Sequence, residues 1–185
     1  MWSVERLAWA KARGCPWENT RICEYAAEDG HLEVLKWAWE RRCPWGSRVC
    51  SVATENGHLE VLQWAREHGC EWDEQTCMYA AEGGHLEVLG WAHEQGYPWS
   101  AYTCSKAALG GHLHVLQYAR EHGCPWDSRT CACAAECGYL ELLKWARAHH
   151  CPWNVWTCNA RRSVRAPGRV DMGAGARLSV DRGDP

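Results

Sequence analysis

Thirteen cysteines and ten histidines carry most of the reactive chemistry in this 185-residue chain. Eleven of the cysteines fall into two columns, Cys23, Cys50, Cys77, Cys104, Cys131 and Cys158 in one and Cys15, Cys43, Cys70, Cys124 and Cys151 in the other. A thiolate from each column with His68 or His122 nearby would be a zinc-binding combination. The spacing speaks against it: there is no Cys-x-x-Cys, and the usual seven residues from Cys70 to Cys77 and its equivalents fit no familiar zinc-knuckle pattern. Repeated columns suit small buried hydrophobes better. Disulfides are not expected if the chain stays in a reducing compartment. Cys133 and Cys137 stand outside the columns, four residues apart on one helical face, and form a separate candidate pair.

The histidines invite a catalytic reading that their repetition undercuts. His31, His58, His85 and His112 occupy one recurring position, 27 residues apart. An active site needs one asymmetric convergence of base, nucleophile and orienting group, so four copies point to architecture, read here as a side-chain hydrogen bond that stabilises a turn. His68, His93, His122 and His149 fall near helix C-termini, where dipole interaction or plain solvation accounts for them. No Ser-His-Asp order, phosphate loop or isolated carboxylate pair stands out, so no catalytic residue, metal ligand or cofactor is assigned.

The element that positions these residues is a repeat. Gly84-His85-Leu86-Glu87-Val88-Leu89-Gly90-Trp91-Ala92 has near copies starting at Gly30, Gly57 and Gly111, and a fifth at Gly138 with Tyr139 in place of histidine. Such self-similarity predicts one small unit stacked on its own neighbours. Asn19, Gly46, Asp73, Ser100, Asp127 and Asn154 each precede the first cysteine column by four residues and belong to the preferred N-cap set. A first helix, for example Glu74 to Gly83, then ends at a glycine suited to a left-handed turn. A second helix runs from about Leu86 to Gln95, with Leu86, Val88, Leu89 and Ala92 at helical spacing. Proline follows it in most units, while Glu71 takes that place in one. The first helix buries small residues such as Cys77, Ala80 and Ala81. The second brings bulk, and its tryptophans, with the loop column Trp17, Trp45, Trp72, Trp99, Trp126 and Trp153, are expected to fasten each unit to the next.

Ala80-Ala81-Glu82-Gly83-Gly84-His85-Leu86-Glu87-Val88-Leu89, followed by Gly96, resembles the helix-turn-helix part of an ankyrin repeat, and the resemblance covers about residues 1–160. An ankyrin unit has about 33 residues, a Thr-Pro-Leu-His entry and a β-turn. This one is shorter and enters through Asp73-Glu74-Gln75-Thr76-Cys77, placing Cys77 where the family has a buried leucine. The resemblance implies an all-α solenoid of stacked helix-turn-helix repeats, ankyrin-like with β-hairpins shortened or absent. Tetratricopeptide-like pairing is the alternative fold. The expected organisation is a truncated half repeat at 1–14, five repeats at 15–150, an incomplete sixth at 151–162 and a tail expected to be disordered at 163–185.

The implied function is a protein-protein interaction scaffold, not an enzyme. The alternative is a metal- or redox-responsive Cys-rich protein. In ankyrin repeats, partners contact the two residues after the paired alanines and the turn entering the first helix. Matched here, these are Glu28, Asp29, Glu55, Asn56, Glu82, Gly83, Leu109, Gly110, Glu136 and Cys137, with Thr20, Arg48, Glu74, Gln75, Tyr102 and Arg129 from the turn. The glutamates sit where the helix dipole disfavours negative charge, which suggests an acidic ladder for a protein partner with a basic patch; an ordinary solvated face is the competing reading. Charge agrees, since residues 1–160 carry 14 Lys+Arg against 20 Asp+Glu, opposing nucleic-acid binding by the repeats. The tail reverses the balance, with six Arg against three Asp. No apolar run reaches the roughly 18 residues of a spanning helix, and the first residues lack a secretory signal. An intracellular protein with no membrane partner is therefore expected, cytoplasmic or nuclear, with self-association through uncovered ends.

Overall fold

Helix boundaries follow the punctuation written into each unit. The computed structural model describes residues 21–43, 45–71 and 75–154, with Val4, Glu5, Ala8, Ala12 and Arg13. Ten helices span the main body: α1 (Arg21–Glu28), α2 (Leu32–Glu40), α3 (Ser47–Glu55), α4 (Leu59–Glu67), α5 (Thr76–Gly83), α6 (Leu86–Glu94), α7 (Ala101–Gly110), α8 (Leu113–Glu121), α9 (Ser128–Cys137) and α10 (Leu140–Ala148). Among the described residues there is no strand, and no helix is long and apolar enough to cross a membrane.

The expected caps are in place at Gly46, Ser100 and Asp127. Ser100 forms a reciprocal box: its hydroxyl accepts from the Tyr102 N–H at 3.3 Å, and Thr103 Oγ1 accepts from the Ser100 N–H at 3.3 Å. Asp127 Oδ1 accepts from the Arg129 N–H at 2.9 Å. Helix α5 starts later than Glu74, with Gln75 at its N-cap. Asp73 and Glu74 lie outside the described residues, as do Asn19 and Thr20.

Each first helix closes on the backbone of the histidine column. The His85 N–H reaches the Ala80 carbonyl at 2.8 Å around Gly84 at φ +80, and His31, His58, His112 and Tyr139 repeat the bond. This six-to-one closure needs a left-handed residue, which glycine supplies without strain. The second helices end similarly, with Cys70, Tyr97, Cys124 and Cys151 donating to Ala65, Ala92, Ala119 and Ala146. In two units a non-glycine residue, Arg42 or His150, takes the left-handed position.

Packing runs down the chain in order. Helix α1 lies on α3, α3 on α5, α5 on α7 and α7 on α9, while each first helix also packs on the second helix of its own unit. Buried Ala and Cys on the first helices permit that close approach, and Leu35, Leu62, Leu89 and Leu116 from the second helices are fully enclosed. The tryptophans stand at the margin of this core. Trp37 is buried, whereas Trp64, Trp91 and Trp145 are half-buried. The loop aromatic that precedes each first helix nonetheless meets the second helix that follows it: Trp45 lies 5.5 Å from Trp64, Trp99 6.3 Å from Tyr118 and Trp126 5.8 Å from Trp145. The expected half repeat and sixth repeat fall largely, and the tail wholly, on residues outside those described.

Candidate interaction surface

The first-helix C-termini carry the residues expected to meet a partner, and the histidine column holds them in register. His85 Nε2 donates to the Glu55 carbonyl at 2.8 Å, and His58 Nε2 to the Glu28 carbonyl at 2.8 Å. The His112 ring makes the same bond to Glu82. The side-chain hydrogen bond anticipated for this column therefore exists, but its acceptor is the preceding unit, 30 residues earlier, and not the histidine's own turn. A carbonyl at the last turn of a helix has no intrahelical partner; here the neighbouring unit satisfies it. Burial holds the His112 imidazole below its ordinary value, and the Glu82 carbonyl works in the opposite direction.

Glu28, Asp29, Glu55, Asn56, Glu136 and Cys137 are exposed, while Glu82 and Leu109 are half-buried. The ladder of four solvated carboxylates is modified at one rung. Lys106, from the next first helix, reaches Glu82 Oε2 at 2.7 Å, so Glu82 presents a neutralised pair. Asn56 turns its amide onto the Val52 carbonyl at 2.8 Å. Gly83 and Gly110 offer a partner only backbone. A Cβ on Gly83 would come within 2.9 Å of the Glu55 carbonyl and 2.5 Å of the His85 ring, and one on Gly110 would collide with the Glu82 carbonyl. Their identity follows from unit-to-unit contact.

The turn residues form pairs of their own. Arg48 Nε lies 3.2 Å from Glu24 of the preceding unit. Gln75 accepts from the Tyr79 hydroxyl at 2.7 Å. Tyr102 is exposed, with the Arg129 guanidinium 3.9 Å above its ring, and Arg129 also binds the Asp127 carboxylate at 2.6 Å. That guanidinium holds the Asp127 carboxyl below the usual range. Beside Tyr102 a cleft of about 420 Å³ is lined by Met78, Pro98, Trp99 and Ser100. The repeat pattern marked Trp99 and Ser100 as architectural and gave no sign that they border a concavity.

The remaining histidines do more than take up solvent. His68, His122 and His149 stack on Trp64, Tyr118 and Trp145 at 4.1 to 4.2 Å and donate from Nδ1 to the carbonyls of those residues at 2.8 to 2.9 Å. His93 stacks on Trp99 at 3.7 Å. Among the described residues no three His, Cys, Asp or Glu side chains are grouped to hold a metal ion.

The cysteines depart from expectation. Cys50 and Cys70, expected to remain separate buried thiols, are joined as a disulfide. The residues concerned are 20 apart, because the second helix brings the chain back beside the first, a distance the seven-residue spacing conceals. Burial pushes the Cys77 thiol up to about 11, and burial together with Cys43 pushes Cys23 up to about 12. Cys133 is half-buried and Cys137 exposed, and both are free. Comparison with known proteins found no family model that matches the chain and no curated protein that matches it.

Proposed function

We propose that this chain is a non-catalytic protein-protein interaction scaffold built as an ankyrin-like solenoid, with repeats at 15–150 between a half repeat at 1–14 and an incomplete unit at 151–162. The observation that carries the reading is the series of first-helix C-termini. Glu28, Glu55 and Glu82 lie at the ends of successive packed helices, and an imidazole from the following unit fixes the backbone carbonyl of each. A surface built this way is rigid, so little order is lost when it meets a partner. Beside the recurring glutamates the next position varies, as Asp29, Asn56, Gly83, Gly110 and Cys137, while the glycines that close the first helices and the apolar columns recur.

The partner is a protein with a basic patch, attracted by Glu28, Glu55 and Glu136, with the cleft beside Tyr102 as an apolar anchor point. Steering between exposed charges weakens once the Debye length falls to about 10 Å near 0.1 M salt. The repeats bind neither nucleic acid nor membrane, need no cofactor, and work inside the cell. Affinity capture from the source cell, using the wild-type chain and a Glu55→Lys/Glu82→Lys chain as parallel baits, tests the assignment. A protein held by the first and lost from the second supports it. The alternative, a redox-responsive Cys-rich protein, draws support from the bonded Cys50 and Cys70.

A further inference from the structure

In four units the cysteine of the first helix and the cysteine just after the second helix are 20 residues apart: Cys23 with Cys43, Cys50 with Cys70, Cys104 with Cys124 and Cys131 with Cys151. The fold brings the members of each pair together. Cys50 and Cys70 are bonded, their Cα atoms 6.6 Å apart, within the range a disulfide accepts. In the other three pairs both thiols are buried in the same core and lie side by side. The second sulfur is placed alike in each unit, with Cys124 Sγ 3.4 Å from the Ser100 carbonyl, Cys151 Sγ 3.5 Å from the Asp127 carbonyl and Cys70 Sγ 3.8 Å from the Gly46 carbonyl. The unit containing Cys77 departs from this, since position 97 is Tyr97. Alanine would fill either column as a small apolar residue. Sulfur at both ends of one contact is what a covalent bond requires.

We propose that the four pairs are reversible dithiol-disulfide sites, one per unit, which close by exchange with a low-molecular-weight disulfide such as oxidised glutathione and reopen with the reduced form. In the closing direction one cysteine thiolate attacks a glutathione sulfur, breaks its S–S bond and releases one glutathione thiolate, leaving a mixed disulfide. The second cysteine thiolate attacks the protein sulfur of that intermediate, forming the intra-unit bond and releasing the second glutathione. The protein gives up two electrons, and its two thiol protons pass to the two glutathione thiolates. Because these sulfurs are buried, exchange proceeds through local opening of the turn after the second helix. Closure ties the first helix to the end of the second within a unit and leaves the face carrying Glu28 and Glu55 unblocked. The proposal is independent of the scaffold reading.

The test equilibrates the full chain with glutathione buffers of increasing oxidised fraction, followed by acid quench, alkylation of free thiols and mass spectrometry of the peptides. Each equilibrium is approached both from the native protein and by dialysis out of denaturant, so that burial cannot hide the outcome. The expected result is four linkages, 23–43, 50–70, 104–124 and 131–151, with eight of the 13 cysteines lost to alkylation in step and Cys77, Cys133 and Cys137 still reactive. Cys50→Ala should remove one linkage and keep three, and Tyr97→Cys should add a fifth, to Cys77. Thiols of these eight cysteines that stay alkylatable in fully oxidised glutathione, linkages that join any other pairs of cysteines, or a Tyr97→Cys chain with no new linkage would each overturn the proposal.

Discussion

His85 Nε2 donates to the carbonyl of Glu55 across 2.8 Å, joining the start of one second helix to the end of the preceding unit's first helix. A net hydrogen bond contributes about 1 kcal/mol, and leaving the carbonyl unpaired costs more. His85→Ala is therefore expected to destabilise the chain by about 1 to 2 kcal/mol. Urea unfolding measures this, and an unchanged midpoint would show that the bond joins units without stabilising them.

The same column gives stability a pH dependence. Burial holds His112 below its ordinary value, with His114 and His85 acting in the same direction and the Glu82 carbonyl against them. The folded state thus favours the neutral ring, and the unfolded chain takes up a proton first as pH falls below about 6.5. The stabilisation is fully present above that value and is lost as pH falls through it. His112→Gln should flatten this part of the profile, read as the urea midpoint between about pH 7 and pH 5; an equal slope in both proteins would contradict it.

Lys106 and Glu82 separate stability from binding. Their ion pair is a third exposed at each end, and such pairs contribute about 0 to 1 kcal/mol. Lys106→Ala should leave the unfolding midpoint nearly unchanged while releasing the Glu82 carboxylate. Association with a basic partner should then quicken at low salt, as stopped-flow binding would show.

Gly110 should reverse the usual helix ranking. Alanine is favoured over glycine inside a helix by about 1 kcal/mol, yet a Cβ here meets the Glu82 carbonyl, a backbone atom that cannot swing aside. Gly110→Ala is expected to cost about 1 to 3 kcal/mol by overpacking. A rise in thermal midpoint would show that the units can part without cost.

What the sequence reveals and conceals divides along the range of the interaction. Caps at Ser100 and Asp127 and the left-handed turn at Gly84 are legible because each depends on a few adjacent residues. The pairing of Cys50 with Cys70 is hidden, since it arises only when the second helix returns the chain to the first. Lys106 likewise reaches back 24 residues to Glu82, and His58 reaches 30 to Glu28. Neither partner can be read from a local pattern. The positions of Glu28, Glu55, Arg48 and Tyr102 at an exposed face are readable from the repeat, whereas the Met78 and Pro98 walls of the neighbouring cleft depend on how two units meet.

The scaffold reading stands or falls on quantitative affinity capture with wild-type and Glu55→Lys/Glu82→Lys baits at low and high salt, with circular dichroism of both proteins recorded alongside. The account predicts a protein retained by wild type at low salt, released at high salt and lost from the double variant, whose helical spectrum and unfolding midpoint match the wild type. Equal recovery by both baits at low salt, from proteins equally well folded, would contradict it.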